Sequence, residues 1–272
     1  VFDHPGFTLA WAVCAAGIGQ FIWIVAACAK SKLLFRLSRP RLTPGVKRLL
    51  TLMAPGLVGA GVVQINLVVD VILASTLQEG SVSFLYFADR VNQLPLGVIG
   101  VAVGIALLPL MTRQLAEGDE AGAAESQNRA IEFALLLTVP ATLALVTIGD
   151  PIVRVLIERG AFDAAATENT AAALSAFSVG LPAYVLIKAL TPGFFARQDT
   201  VTPVKIAIVA MVVNVVLALI LMQVLSHVGI ALATACSAWM NAIILWVILH
   251  RRGQFHADAR LWNRGIRTIA VS

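Results

Sequence analysis

Residues 206–225 carry no charged side chain, and after Ser226, His227 and Val228 a second uncharged apolar run extends over residues 229–249. About twenty apolar residues are what an α-helix needs to cross a hydrocarbon layer roughly 30 Å thick. Hydrocarbon offers no partner to a free backbone N–H or C=O, so such a segment is either a helix or part of a closed barrel. The pattern is helical rather than alternating, and the chain has only two tyrosines, which argues against a barrel. Hydrophobic residues make up 59% of the chain and charged ones 13%, where a soluble domain carries about 25% charge. The fold class that follows is all-α, a polytopic bundle of transmembrane helices.

Seven complete spans fit this pattern, at approximately 7–29, 50–76, 82–110, 131–149, 171–193, 206–225 and 229–249, and residues 266–272 begin to look like another. The chain therefore reads as a piece of a longer protein. It divides into residues 1–49 (one helix and a basic linker), 50–250 (six spans) and 251–272 (a connection leading into a further span). Lys30, Lys32, Arg36, Arg39, Arg41, Lys47, Arg48, Arg113, Arg129, Arg197, Lys205, Arg251, Arg252, Arg260 and Arg264 all fall in alternate connections on one side. The other side has only Arg154 and Arg159. The positive-inside rule makes the first side cytoplasmic. Residues 150–162 read as an interfacial helix capped by Asp150 and ended by Gly160, and residues 113–129 as a cytoplasmic surface helix. Cys14, Cys28 and Cys236 lie in apolar spans and read as small core residues.

Against this background Arg90 stands out. It lies about 13 Å into the third span at 1.5 Å per residue, where a charge costs at least a few kcal/mol unless it faces protein or a wet cavity. Its planar fork suits phosphate. Tyr86 and Arg90 share one helix face at i,i+4, Asp89 and Gln93 share another, and Asn92 adds a third polar group. Pro95 and Gly97 allow the helix to bend around a cavity, as Pro140 and Pro182 do in the fourth and fifth spans. Two accounts of Arg90 stay open: a contact for an anionic ligand, or half of a structural ion pair.

The second span holds Gln64, Asn66 and Asp70, with Asn66 and Asp70 at i,i+4 near mid-membrane. A carboxylate there suits a cation or a proton, or simply a structural hydrogen bond. Asn214 and Asn241 are candidates to complete an oxygen cage. Lys188 either snorkels to the interface or faces a phosphate. The basic run at residues 30–48 suits anionic phospholipid headgroups. No Walker, metalloprotease, Ser/His/Asp or Cys/His pattern is present, so the chain does not read as an enzyme, and no metal site or cofactor is expected beyond a monovalent cation.

Several stretches resemble the MurJ/MviN lipid II flippase family: residues 81–104, which contain Ala88-Asp89-Arg90; Ala54-Pro55-Gly56; Ile157-Glu-Arg-Gly-Ala-Phe162; and Leu190-Thr-Pro-Gly-Phe-Phe-Ala-Arg-Gln-Asp-Thr-Val-Thr-Pro-Val-Lys205. The resemblance implies an exporter of two six-helix lobes around a cationic cavity. This chain would supply the sixth helix, the second lobe and the start of the thirteenth helix. It further implies alternating access in the bacterial inner membrane, with lipid II as substrate for peptidoglycan synthesis and cell-wall enzymes as candidate partners. Arg90 matches the family's cavity arginine, and Asp70, Asn66 and Asn214 fall where a coupling cation is plausible. Ala218 stands where a second acid would complete such a cage. The alternatives are an exporter of another polyprenyl-linked sugar or a drug on the same scaffold, and a non-transporting scaffold that binds anionic lipid.

Overall fold

The computed structural model describes residues 5–31, 43–258, 260–261 and 264. Most of the basic run at 30–48 and the apolar run at 266–272 lie outside the described residues. The chain divides into two units, residues 1–48 and 49–272. The first holds α1 (Pro5–Lys30), whose apolar side chains are exposed all along its length, Trp11 and Trp23 among them. In an aqueous protein that would be untenable, but in hydrocarbon it is what the solvent requires.

The second unit holds most of α2 (Pro44–Ser75), then α3 (Ser81–Pro95), α4 (Val101–Ala116), α5 (Glu120–Thr147), α6 (Gly149–Ile157), α7 (Ala164–Val179), α8 (Leu181–Phe195) and α9 (Val201–Arg251). Among the described residues every regular element is helical. Six helical stretches are long and apolar enough to cross a membrane. One of them, α9, is broken at Ser226, whose φ of 52° and ψ of −135° are not helical, so it supplies both the sixth and the seventh span. The chain is a multi-pass membrane protein.

The central post is α7 followed by α8. Two-thirds of its most apolar 18-residue window is buried inside the protein, against 28% or less for the corresponding windows of the other membrane-length helices. Around α7 pack α3, α6 and the middle of α9, with Leu174, Leu181 and Ile230 at the heart of the core. Around α8 pack α4, α5 and the end of α9, centred on Leu190, Phe194 and Leu249. Small residues permit the close approach of α7 to α9. A Cβ at Gly180 would fall 2.9 Å from the Ala235 Cα.

Proline governs the long third span. Pro95 offers no N–H to the Val91 carbonyl, and the chain answers with a π-helical stretch, Leu96–Gly100, before α4 begins. The span is thus bent by a bulge rather than interrupted. Gln127, wholly buried on α5, donates its Nε2 to the carbonyls of Ala189 and Leu190 at 3.0 and 3.3 Å, just before the proline of α8.

Three expectations fail. No separate surface helix occupies 113–129: α4 runs through Arg113 and turns at Gly118 (φ 80°), and Asp119 accepts from the Gly122 amide to start α5 directly. Asp150 does not cap its helix, because α6 starts at Gly149; the carboxylate instead pairs with Arg154 at 3.1 Å. Cys14 and Cys236 are exposed rather than packed in a core, since lipid accepts an apolar thiol as readily as protein does.

Beyond α9 the chain folds back. Phe255 is fully buried against Trp246, Asn128 donates to the His256 carbonyl at 2.9 Å, and Glu132 gathers Arg129, Arg260 and Arg264 while Arg129 also pairs with Asp258. The two ends of α9 are tied as well. Asp199 accepts from the Thr202 amide and hydroxyl and pairs with Arg252 at 2.7 Å. Partial burial pushes the Asp199 carboxyl up, but the hydrogen bonds from Arg252 and Thr202 and the Arg252 charge outweigh it and hold the group below its ordinary value.

Two measurements check this description. A Cβ at Gly229 would fall 2.4 Å from the Leu221 carbonyl oxygen across the Ser226 break, whereas one at Gly104 meets open space. Gly229→Ala should therefore cost about 1–3 kcal/mol in a melt of the detergent-solubilised protein, while Gly104→Ala should be neutral or stabilise by up to about 1 kcal/mol. A carboxyl lowered in the folded state adds stability that is whole above its unfolded pKa of about 3.9 and is lost as pH falls through the lower folded value. Asp199→Asn is expected to depress the melting midpoint near neutral pH, with the gap to wild type closing below about pH 4. A gap independent of pH would rule out the charge as its cause.

Candidate functional site

A cavity of about 470 Å³ opens between α2, α3, α7, α8 and α9. Valine, leucine, isoleucine and alanine supply half of its lining residues, and Phe177 and Met211 add to the apolar part. Its polar groups come from α2 (Asn66, Asp70), α3 (Tyr86, Asp89, Gln93), α8 (Tyr184) and α9 (Asn214, Thr234, Ser237, Asn241).

Helical spacing builds the first cluster. Asn66 and Asp70 lie one turn apart on α2, and the Asn66 Nδ2 donates to Asp70 Oδ2 at 3.2 Å. From α9, the Asn214 Nδ2 donates to Asn66 Oδ1 at 2.9 Å and to Asp70 Oδ1 at 3.3 Å. Both carboxylate oxygens are thus met by neutral amides. Asn214 is only 1% exposed, and its own Oδ1 has no partner.

The second cluster lies on α3. Gln93 Nε2 donates to Asp89, while Gln93 Oε1 accepts from Arg90 Nη1 at 3.3 Å. The Arg90 guanidinium also lies over the Tyr86 ring, 5.0 Å from its centroid. One amide therefore links Asp89 to Arg90, although the two side chains diverge on the helix. Arg90 itself does not line the cavity. It is exposed and touches two residues that do. A buried ion pair with another helix, the structural account of Arg90, is not formed among the described residues.

Other expected groups are placed elsewhere. Lys188 is exposed outside the cavity, its stem against the π-helical stretch, where a Cβ at Gly100 would meet Lys188 Cγ at 3.5 Å. Asn92 is buried but outside the cavity, its Oδ1 unpartnered. Gln64 is exposed. Of the bending residues, Pro95 and Gly97 flank or sit in the bulge, Pro140 lies within α5, and Pro182 opens α8. Ala218 is buried in the core beside α7.

Sequence reasoning missed Tyr184 and Ser237. Tyr184 lines the cavity, and its hydroxyl is buried without a partner. It stands one turn before Lys188, and Ser237 one turn before Asn241. The same i,i+4 test that found Asn66 and Asp70 would have found both.

A multi-pass bundle with prolines in its spans and a cavity between them defines a polytopic helical membrane protein, and comparison with known proteins makes this specific. A family model described as Lipid II flippase MurJ matches residues 1–271, so the chain belongs to the MurJ lipid II flippase family. A probable lipid II flippase MurJ of Rhizobium tropici is 49% identical over 97% of this chain and 49% of its own length. The lipid II flippase MurJ of Burkholderia cenocepacia is 33% identical over 92% of this chain and 49% of its own length. The chain spans about half the length of the curated relatives it matches. A solved lipid II flippase MurJ in an inward closed conformation overlays with a TM-score of 0.71 at 26% identity, covering 85% of this chain and 48% of that one. An outward-facing multidrug resistance transporter of the MATE family shares the fold, with a TM-score of 0.66 at 18% identity over 79% of this chain and 49% of that one.

The amide network gives a stability prediction. Asn214→Ala removes the donor to both Asn66 and Asp70 and leaves two half-buried acceptors short, so the cost falls toward the lower end of the range for buried groups. Each buried unsatisfied group costs about 1–3 kcal/mol, so the melting midpoint should fall clearly, whereas Gln64→Ala on the exposed face of α2 should leave it unchanged. Equal melts for the two variants would show that the network contributes nothing.

Proposed function

We propose that this chain is the second lobe of a lipid II flippase, together with the helix that precedes it. The full protein carries undecaprenyl-pyrophosphate-linked disaccharide-pentapeptide across the bacterial inner membrane for peptidoglycan synthesis. The lobe acts by rocking against its counterpart, in alternating access. The missing lobe, anionic phospholipids and cell-wall synthesis enzymes are its partners.

The observation that carries this reading is the posture of Arg90. A guanidinium at membrane depth is left without a carboxylate partner among the described residues and is held by the Tyr86 face and by Gln93. That arrangement orients the fork and leaves donors for a pyrophosphate. Asp89 acts through Gln93 as a positioning residue. Lys188 supplies a second positive charge on α8. Asp70, with Asn66 and Asn214, supplies oxygen ligands for a monovalent coupling cation, and the bends at Pro95, Gly97, Pro140 and Pro182 give the spans their freedom to rock.

The test is rescue of cells depleted of their own lipid II flippase by the full-length parent protein, at matched membrane abundance. Arg90→Ala should fail, because it loses at least one charge-assisted hydrogen bond to the ligand, roughly 1.5–3 kcal/mol. Arg90→Lys should rescue weakly, since a point charge cannot reproduce a bidentate contact. Full rescue by Arg90→Ala with intact folding would remove the anion-contact reading.

A further inference from the structure

The cavity described above has a charge imbalance that the transported lipid does not explain: acids line it and no basic side chain does. Asp70 and Asp89 both line it, yet neither forms an ion pair among the described residues. The side chains that donate to them, Asn66, Asn214 and Gln93, are neutral amides. Asn214 Oδ1, in a side chain only 1% exposed, is a further acceptor with nothing to accept from. Arg90 and Lys188, the two basic side chains within these spans, are absent from the wall. The wall thus carries two acids and no cation: Asp70 forms no ion pair among the described residues, and Asp89 reaches Arg90 only through Gln93, so a positive group in the cavity would complete both.

Size and wall chemistry narrow the class of cation. About 470 Å³ is within the 300–1,000 Å³ of small-molecule pockets and far above the roughly 30 Å³ of a single water, so an inorganic ion would leave most of it empty. The remaining wall is apolar, aliphatic side chains with Met211 and Phe177, and the Tyr86 and Tyr184 rings also border the space. Such a surface gains from burying a hydrocarbon body and from an aromatic face near a positive head. A pyrophosphate would meet the two carboxylates and be repelled.

We infer that this cavity is a binding site for an amphipathic organic ammonium, its N–H donors directed to Asp70, Asp89 and Asn214 Oδ1 and its apolar body against the wall of α2, α7 and α9. The site is separate from the anion contact at Arg90. It shares Asp70 with the coupling cation proposed above, so occupancy would compete with that ion. The inference rests on the proposed lobe assignment only for that competition; binding itself is read without transport.

The probe is monodansylcadaverine, a fluorescent primary amine on an aromatic body, titrated into the purified full-length parent in detergent. Its N-acetylated derivative, which lacks the charge, is the control. The amine should bind saturably and at least tenfold more tightly than the acetylated compound. Asp70→Asn and Asp89→Asn should each weaken it by about tenfold or more, with melting curves confirming a folded protein. If either variant does not fold, the other variant and the acetylated control still decide. Equal binding of the two probes, or unchanged affinity in the folded variants, overturns the inference and leaves an apolar cleft that takes up lipid-like molecules by partition. Because the titration does not depend on flipping, a failed probe and a failed rescue by wild-type parent are distinct results.

Discussion

Hydrocarbon supplies no hydrogen bonds, so every departure from helix in this bundle must be resolved by the protein itself. The three main departures are each resolved differently. At Pro95 the helix widens into a π-helical stretch and continues. At Pro192, which leaves the Lys188 carbonyl without its helical donor, α8 nevertheless continues to Phe195, and Gln127 from the neighbouring helix donates to the next two carbonyls, those of Ala189 and Leu190. At Ser226 the chain reverses in very few residues, and Gly229 lets the backbone of the return helix press against Leu221. The buried post of α7 and α8 connects these solutions, since α3, α5 and α9 all pack on it.

The same economy shapes the site. Asp70 and Asp89 are held by amides, not by cations. Amides orient a carboxylate without pairing it with an opposite charge. Arg90 is treated in the opposite way: the Tyr86 face and an amide oxygen steady it while its charge stays available. Gln93 serves both groups at once, donating to one and accepting from the other. A single helix turn therefore carries two side chains of opposite charge linked through one amide rather than by a direct ion pair.

Much of this was legible in the sequence because helical spacing and membrane thickness are strong constraints. The i,i+4 pairs Tyr86 with Arg90, Asp89 with Gln93, and Asn66 with Asp70 all make the contacts their spacing implies. The spans were readable from length and charge alone. What periodicity could not reveal was which side chains from different helices share a cavity. Lys188 and Arg90 look like natural partners for a phosphate by chemistry, yet neither lines the cavity with Asp70. The local errors have a common origin as well. Residues 113–129 and Asp150 were read from composition and capping preference, but the helices there continue or begin where tertiary packing places them.

The tie between Asp199 and Arg252 bears on how the molecule is made. These residues flank the two ends of a hairpin that crosses the membrane twice, and they meet only after both crossings are complete. During synthesis the first half of the hairpin enters the bilayer well before Arg252 leaves the ribosome. The ion pair can therefore close only in a finished hairpin and is absent from a half-inserted one. In the interval Asp199 has its Thr202 partners but no counter-charge.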